Sequence, residues 1–344
     1  MQRSPRLLLT LAPAVTGAIF ALALALAAPV AVAGEAPTQT EDGVVVARDT
    51  VLFRGGFAAG HQPDGNSTMI AAPAGWIVFD TGRHRAHVRR LLDHARASGH
   101  PVATIINSHW HLDHASGNRI LRDAFPEAPV LASGGAEAAL AGFLADSRRQ
   151  SASLVAQGRI AEPMLSDVRG DMATIDDGAA LLPTEVVERS GPRTIAGRAM
   201  HVGLAAHAVS EGDVWLFDPA TRVLLAGDLV TLPAPLFDTA CPQRWREALA
   251  TLDAMDFAVL VPGHGAPMDH AGFARYRRGF DRLLACAASD ADADACARGW
   301  LDDAGALVPR DEHALAGSLL AYYVPNVLRA PAARPRNACP ADAR

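Results

Sequence analysis

Four side chains able to bind a metal ion fall within six residues, in the run His109-Trp110-His111-Leu112-Asp113-His114. Imidazole and carboxylate together suit zinc, manganese or iron, and zinc is the default for hydrolysis because it has no redox chemistry. One loop cannot complete two coordination spheres, so further ligands must come from elsewhere. Three candidates follow apolar runs, beside glycine or in a turn: His207 after residues 200–205, Asp228 after 223–227, and His264 after 259–263. A single histidine is usually a surface or capping residue. Seven ligand-type groups distributed in this way point instead to a two-metal site.

The elements that must position these groups are readable from periodicity. Residues 44–46, 68–71 and 76–79 read as strands separated by Gly, Pro and Asp. Residues 84–98 form an amphipathic helix, with Val88, Leu91, Leu92 and Ala95 on one face and Gly99 as its stop. Its histidines His84, His87 and His94, with His100 just beyond, are expected on the solvated side. Residues 102–106 read as a buried strand that delivers the His109 run, followed by a short helix over 118–125 and a strand over 129–132. Residues 136–157 are expected as one long Ala-rich helix. The stretch 158–195 is rich in Pro and Gly and is expected as a substrate-facing insertion over the site mouth. Strands resume at 200–205, 214–217, 223–226 and 258–261, and 273–288 is helical. His61, in a Gly- and Pro-containing loop, is a candidate substrate contact.

The run His-Trp-His-Leu-Asp-His resembles the H-x-H-x-D-H signature of the metallo-β-lactamase-fold superfamily. Val-Leu-Leu-Ala-Gly-Asp-Leu is similar to its strand carrying a bridging Asp, Val-Pro-Gly-His-Gly to its last metal-binding segment, and Phe79-Asp80-Thr81-Gly82 to its early D-T-G turn. The resemblance covers roughly residues 44–275 in the family's order. It implies an α/β chain folded as a four-layer αββα sandwich with two zinc ions. One metal would be held by His109, His111 and His207, the second by Asp113, His114 and His264, with Asp228 bridging. The bridging hydroxide would attack, Asp113 would orient it and help protonate the leaving group, and Asp80 would orient a ligand rather than bind metal. The stretch from His207 to Asp213 is two residues longer than the family's usual spacing, which leaves His201 as an alternative third ligand.

Composition narrows the chemistry. The formal charge is −6, which argues against nucleic acid as a partner. All 31 basic residues are Arg, so lysine Schiff bases and lysine clamps are excluded. Basic residues, an apolar stretch from Leu7 and an Ala-x-Ala exit predict a signal peptide over 1–33, cleaved after Ala33, and hence a periplasmic or secreted protein. Four cysteines in an exported chain favour disulfides, with Cys286–Cys296 and Cys241–Cys339 as the preferred pairing. A catalytic domain over 40–275 and a helical extension over 276–344 complete the expected organisation.

A zinc-dependent hydrolase of an ester, thioester or amide-like bond on a small molecule is the leading expectation. Known metallo-β-lactamases tend to carry Cys or Ser where Asp228 stands, so the resemblance is nearer the broader hydrolase branches. Residues 229–242 resemble exported zinc metallohydrolases associated with quinoprotein systems, which implies a periplasmic redox-protein association. A β-lactamase, a mononuclear-iron persulfide oxidoreductase and a non-catalytic zinc-binding accessory protein are the alternatives.

Overall fold

The computed structural model describes residues 43–330 and Cys339; the expected signal peptide lies outside them. In chain order the elements are β1 (Val44–Ala47), β2 (Thr50–Phe53), β3 (Ser67–Ala72), β4 (Gly75–Phe79), α1 (Arg85–Ser98), β5 (Val102–Ile106), α2 (Leu112–Ala115), α3 (Asn118–Ala124) and β6 (Val130–Ala132). Next come α4 (Gly135–Ala141), α5 (Phe143–Ala156), α6 (Met164–Asp177), β7 (Glu185–Val186), β8 (Gly191–Ile195), β9 (Arg198–Ala206), β10 (Gly212–Asp218) and β11 (Val223–Thr231). The described chain ends with α7 (Pro242–Asp253), β12 (Val259–His264), α8 (His270–Ala287), α9 (Ala293–Ala304) and α10 (His313–Tyr323).

Strands β1 to β7 form one sheet in sequence order, and β12-β11-β10-β9-β8 form the other. Period-2 alternation explains why both sheets are covered on both faces. Ile77 and Phe79 of β4 point into the layer between the sheets with Ile106, Leu216, Leu225 and Val261. Their neighbours Trp76 and Val78 point outward, onto Val88, Leu91 and Ala95 of α1. On the second sheet Val223 and Leu225 face inward, while Leu224 and Ala226 face a helical layer built by α7 to α10. The result is the expected helix–sheet–sheet–helix sandwich. Helices α8 to α10 share one core with β11 and β12, and Trp245, Tyr276 and Trp300 are fully buried in it. Each large apolar side chain so buried stabilises the fold by about 1.5–3 kcal/mol relative to exposure.

Several local expectations need correction. The helix expected over 136–157 is two helices, because Gly142 takes φ −118°, ψ −100° and breaks the hydrogen-bond ladder. The 158–195 stretch holds α6, which sequence periodicity hid among its Pro and Gly. Strand β2 and helix α7 were not read from the sequence. The α1 histidines are not uniformly solvated. His87 is buried and bonded to Ser67 Oγ at 2.8 Å, His94 packs between Phe53 and Trp76, His84 is tied to two carboxylates, and His100 alone is exposed.

Both preferred cysteine pairs form, with Cα separations of 4.9 Å for Cys241–Cys339 and 5.4 Å for Cys286–Cys296. Among the described residues no helix is long and apolar enough to cross a membrane.

Candidate metal centre

Parallel pairing sets the site. Strands β4 and β5 run parallel, so their C-terminal ends emerge together and place the Asp80 turn beside the His109 run. Strands β11 and β12 are also parallel, which sets Asp228 and His264 side by side. The two pairs belong to different sheets, and their strand ends meet in one cleft. His111 precedes α2, and Asp113 and His114 lie within it.

Six ligand-type side chains converge there as two groups, His109, His111 and Asp228, then Asp113, His114 and His264; within each, the ligand atoms lie within 4.8 Å of one another. Asp228 reaches across both: its carboxylate lies 3.2 Å from His114 Nε2 and 3.6 Å from His264 Nε2, and 3.9 Å from His109 Nε2. His264 Nε2 stands 3.0 Å from Asp113 Oδ2 and 3.3 Å from His114 Nε2. Asp113, Asp228, His109, His114 and His264 are buried.

Hydrogen bonds behind these rings fix which nitrogen is bare. Ser108 Oγ donates to Asp80 at 2.8 Å, so it accepts from His109 Nδ1 at 2.9 Å and leaves Nε2 unprotonated. Thr239 Oγ1 donates to the Val209 carbonyl at 2.7 Å. It therefore accepts from His111 Nε2 at 2.9 Å and leaves Nδ1 as the ligand atom. Asp80 accepts from His114 Nδ1 at 2.9 Å, so Nε2 is the nitrogen turned to the carboxylates, where a proton or a metal ion can sit. His109 Nε2 and Asp228 Oδ1 are buried and make no hydrogen bond. Three rings oriented by hydrogen bonds behind them, with Asp228 Oδ1 unpartnered between them, fit metal ligation.

The electrostatics agree. Burial, with repulsion from neighbouring imidazoles, pushes His109 well below its usual value; burial pushes His111 down to about 4. Both rings are neutral at pH 7, the form that binds metal. Burial opposes ionisation of Asp113 and Asp228, yet both are held below the usual carboxylate range, with His114 the largest favourable partner. His114 is held well above its usual value against burial by Asp228, Asp113 and Asp80. Carboxylates outnumber cationic partners, so the cleft favours added positive charge.

His207 joins neither group. It sits just past β9 at φ 57°, where the residue lines a cavity of about 520 Å³ with Trp215, Arg244 and Glu247, and its Nδ1 is buried without a hydrogen bond. The turn after it is closed on itself: Asp213 accepts from Val209 N at 2.9 Å and from Ser210 N at 3.1 Å. His201 of β9 stacks on Trp215 of the neighbouring β10 and also belongs to neither group. His61 faces Asp167 of α6 rather than the cleft.

Several supporting residues carry no local sequence signal. Arg83 is largely but not fully buried; it donates to Asp171 of α6 at 2.5 Å and to the Pro63 carbonyl at 2.9 Å, and approaches Asp113 at 3.7 Å. Asn66 donates to the Pro262 and Gly265 carbonyls, both at 2.9 Å, stitching the 54–66 loop to the His264 turn. Trp110 donates to Glu211 at 2.6 Å, anchoring the ligand run. Two glycines are required by close approach. A Cβ at Gly65 would stand 2.5 Å from the His114 ring, and one at Gly263 would stand 2.1 Å from Asp228 Oδ1.

Fold and site define a hydrolase of the metallo-beta-lactamase superfamily, to which this chain belongs: residues 62–264 match that family. A linear primary-alkylsulfatase of Pseudomonas sp. is 27% identical over 230 residues, 58% of this chain and 41% of that protein. The chain thus spans less than half the length of that relative. The stereoselective inverting sec-alkylsulfatase Pisa1 from Pseudomonas sp. superimposes with TM-score 0.51 at 21% identity, covering 75% of this chain and 47% of that one. A metallo-beta-lactamase from Pontibacter korlensis matches with TM-score 0.48 at 18% identity, covering 68% of this chain and 95% of that one.

Proposed function

We propose that this chain is a zinc-dependent hydrolase of an ester-type bond in a small molecule, working in the periplasm. The observation that carries the reading is the pair of ligand groups joined by Asp228. One ion would be held by His109, His111 and Asp228, the other by Asp113, His114 and His264 with Asp228 shared; His207 is the remaining candidate for the first ion. When bound, the metal pair supplies Lewis acidity that polarises the scissile bond and makes water acidic enough to attack near neutral pH.

The chain's own residues do the rest. Asp113 Oδ2, 3.0 Å from His264 Nε2, would orient the attacking water and hand its proton on to the leaving group. Arg83, 3.7 Å from its other oxygen, adds a positive charge that favours its ionised form. Ser108, Thr239 and Asp80 keep His109, His111 and His114 from rotating. Residues 54–66 and α6 border this region and shape what can enter. Two disulfides support an oxidising compartment such as the periplasm, and the redox-protein association remains part of this proposal.

A sulfate ester is the second reading, favoured by sequence similarity to the linear primary-alkylsulfatase. The experiment is a panel on purified zinc-loaded protein: carboxylic ester, thioester, alkyl sulfate and nitrocefin. Turnover of an oxygen or sulfur ester that disappears in Asp228→Ala is expected. No turnover above buffer by protein carrying both metals would remove the hydrolase proposal, and nitrocefin as the best substrate would replace it with a β-lactamase.

A further inference from the structure

A second constellation lies outside the central cleft, where the 54–66 loop, the start of α1 and helix α6 meet. His61, His84 and Asp167 each offer a ligand atom, all within 4.8 Å of one another. His61 Nδ1 lies 3.0 Å from Asp167 Oδ2, and His84 Nε2 lies 3.2 Å from Asp167 Oδ1. Ligand atoms of a tetrahedral zinc site, at about 2.0–2.2 Å from the ion, are about 3.3 Å apart. Both imidazole nitrogens stand near that distance from the Asp167 carboxylate, His61 from Oδ2 and His84 from Oδ1.

The surroundings of His84 match those of a metal-ligating imidazole. Its Nδ1 faces Asp64 Oδ2 at 2.8 Å. The Asp64 carboxylate is in turn fixed by the backbone amides of Arg83 and His84, at 2.7 and 2.9 Å. A carboxylate behind one ring nitrogen settles the proton there and leaves the other nitrogen bare. That other nitrogen, His84 Nε2, is buried and makes no hydrogen bond, although it points toward a carboxylate oxygen. A lone pair facing a lone pair is repulsive, so either a proton or a metal ion must lie between them. Asp167 is likewise preset, its Oδ2 accepting from Gln62 N at 2.9 Å.

We propose that His61, His84 and Asp167 form a third, single-ion metal site of the zinc class that fastens α6 to the loop bordering the central cleft. Three protein ligands leave a fourth position for water, reached from the exposed side of His61. The occupied site draws α6 onto the loop, and α6 carries Asp171, whose partner Arg83 bears on Asp113. The site is built from residues separate from the central ligands and stands whether or not the central pair performs hydrolysis.

The test counts metal. Wild type, His61→Ala, the double variant His61→Ala/Asp167→Asn, and His264→Ala are equilibrated with micromolar zinc and assayed for metal and protein. Wild type is expected to hold one equivalent more than either His61 variant. His264→Ala, which damages the central pair, is expected to retain the extra equivalent and to lose it when His61→Ala is added. Equal zinc in wild type and both His61 variants overturns the proposal and leaves a proton on His84 as the cation of this cluster. Circular dichroism of His61→Ala, an exposed residue, checks that the fold is retained. Loss of central metal alone would count against the central site and not against this one.

Discussion

Replacing Asp80 with Asn isolates the tautomer argument from every other property of the site. Asp80 is fully buried at φ 59°, and Asn is among the few residues that tolerate this left-handed backbone. The backbone therefore has no reason to move. The Asn oxygen can still accept from Ser108 N, but its amide must then present N–H groups to His114 Nδ1 and Ser108 Oγ. A donor facing a donor is resolved when His114 moves its proton to Nε2, the atom aimed at Asp228. The ring then can no longer ligate. Loss of such an outer carboxylate typically costs 10- to 100-fold in metal affinity, or about 1–3 kcal/mol. Fold stability should change by less than about 1 kcal/mol, because burial already pushes the Asp80 carboxyl up and a neutral amide avoids that cost. Competitive chelator titration would show one zinc released at about 10- to 100-fold lower chelator concentration, with an unchanged denaturation midpoint. Unchanged affinity for both ions would refute the claim that Asp80 sets the His114 tautomer.

Gly263→Ala places a methyl against Asp228 Oδ1 and must displace it, so about a 100-fold loss in kcat/KM is expected with the fold intact; activity within threefold of wild type would show that the carboxylate is freer than the packing implies. His87 is held down to about 4 by burial, against 6.5 unfolded. Its contribution is therefore intact above pH 6.5 and lost as pH falls toward 4, by about 1.4 kcal/mol per pH unit and about 3 kcal/mol in all. Urea midpoints from pH 7 to 4.5 should fall less steeply in His87→Gln, and parallel profiles would refute this. His207→Ala should keep the zinc content of wild type, since the ring lines another cavity; loss of about one equivalent would install it as a ligand. Breaking Cys241–Cys339, which spans 98 residues, should cost about 2–5 kcal/mol in denaturant unfolding, and an unchanged midpoint would show that the link does not constrain the unfolded chain.

The readable part of the site is the part whose geometry is local. His109 to His114 are contiguous and follow a buried strand, so their convergence needs only one turn. Asp228 and His264 announce themselves by ending apolar runs at glycine, and parallel pairing does the rest. His207 is where spacing is least informative: the extra residues before Asp213 form a self-capped turn, and the ring stands outside both ligand groups. Arg83, Asn66 and Thr239 were invisible because their partners lie far along the sequence, and no periodicity marks a residue that bonds a distant carbonyl. The same holds for His84 and His87, whose helix face is amphipathic but whose polar partners come from other elements. Helix α6 was hidden because its ends are Pro and Gly and its apolar face is weak, so composition outweighed periodicity.

The division of the ligands between two sheets bears on how the protein matures. Neither half of the chain can form a tight metal site alone. The first sheet contributes a histidine run without its shared carboxylate, and the second contributes Asp228 and His264 without the run. On the proposed ligand assignment, metal capture would follow the closing of the seam between the sheets, and bound metal would then hold that seam shut in proportion to its free concentration. With the proposed periplasmic location and zinc as the metal, the yield of intact molecules would become a readout of the zinc supply in that compartment. Newly made chains would be the population most exposed to proteolysis when the supply falls.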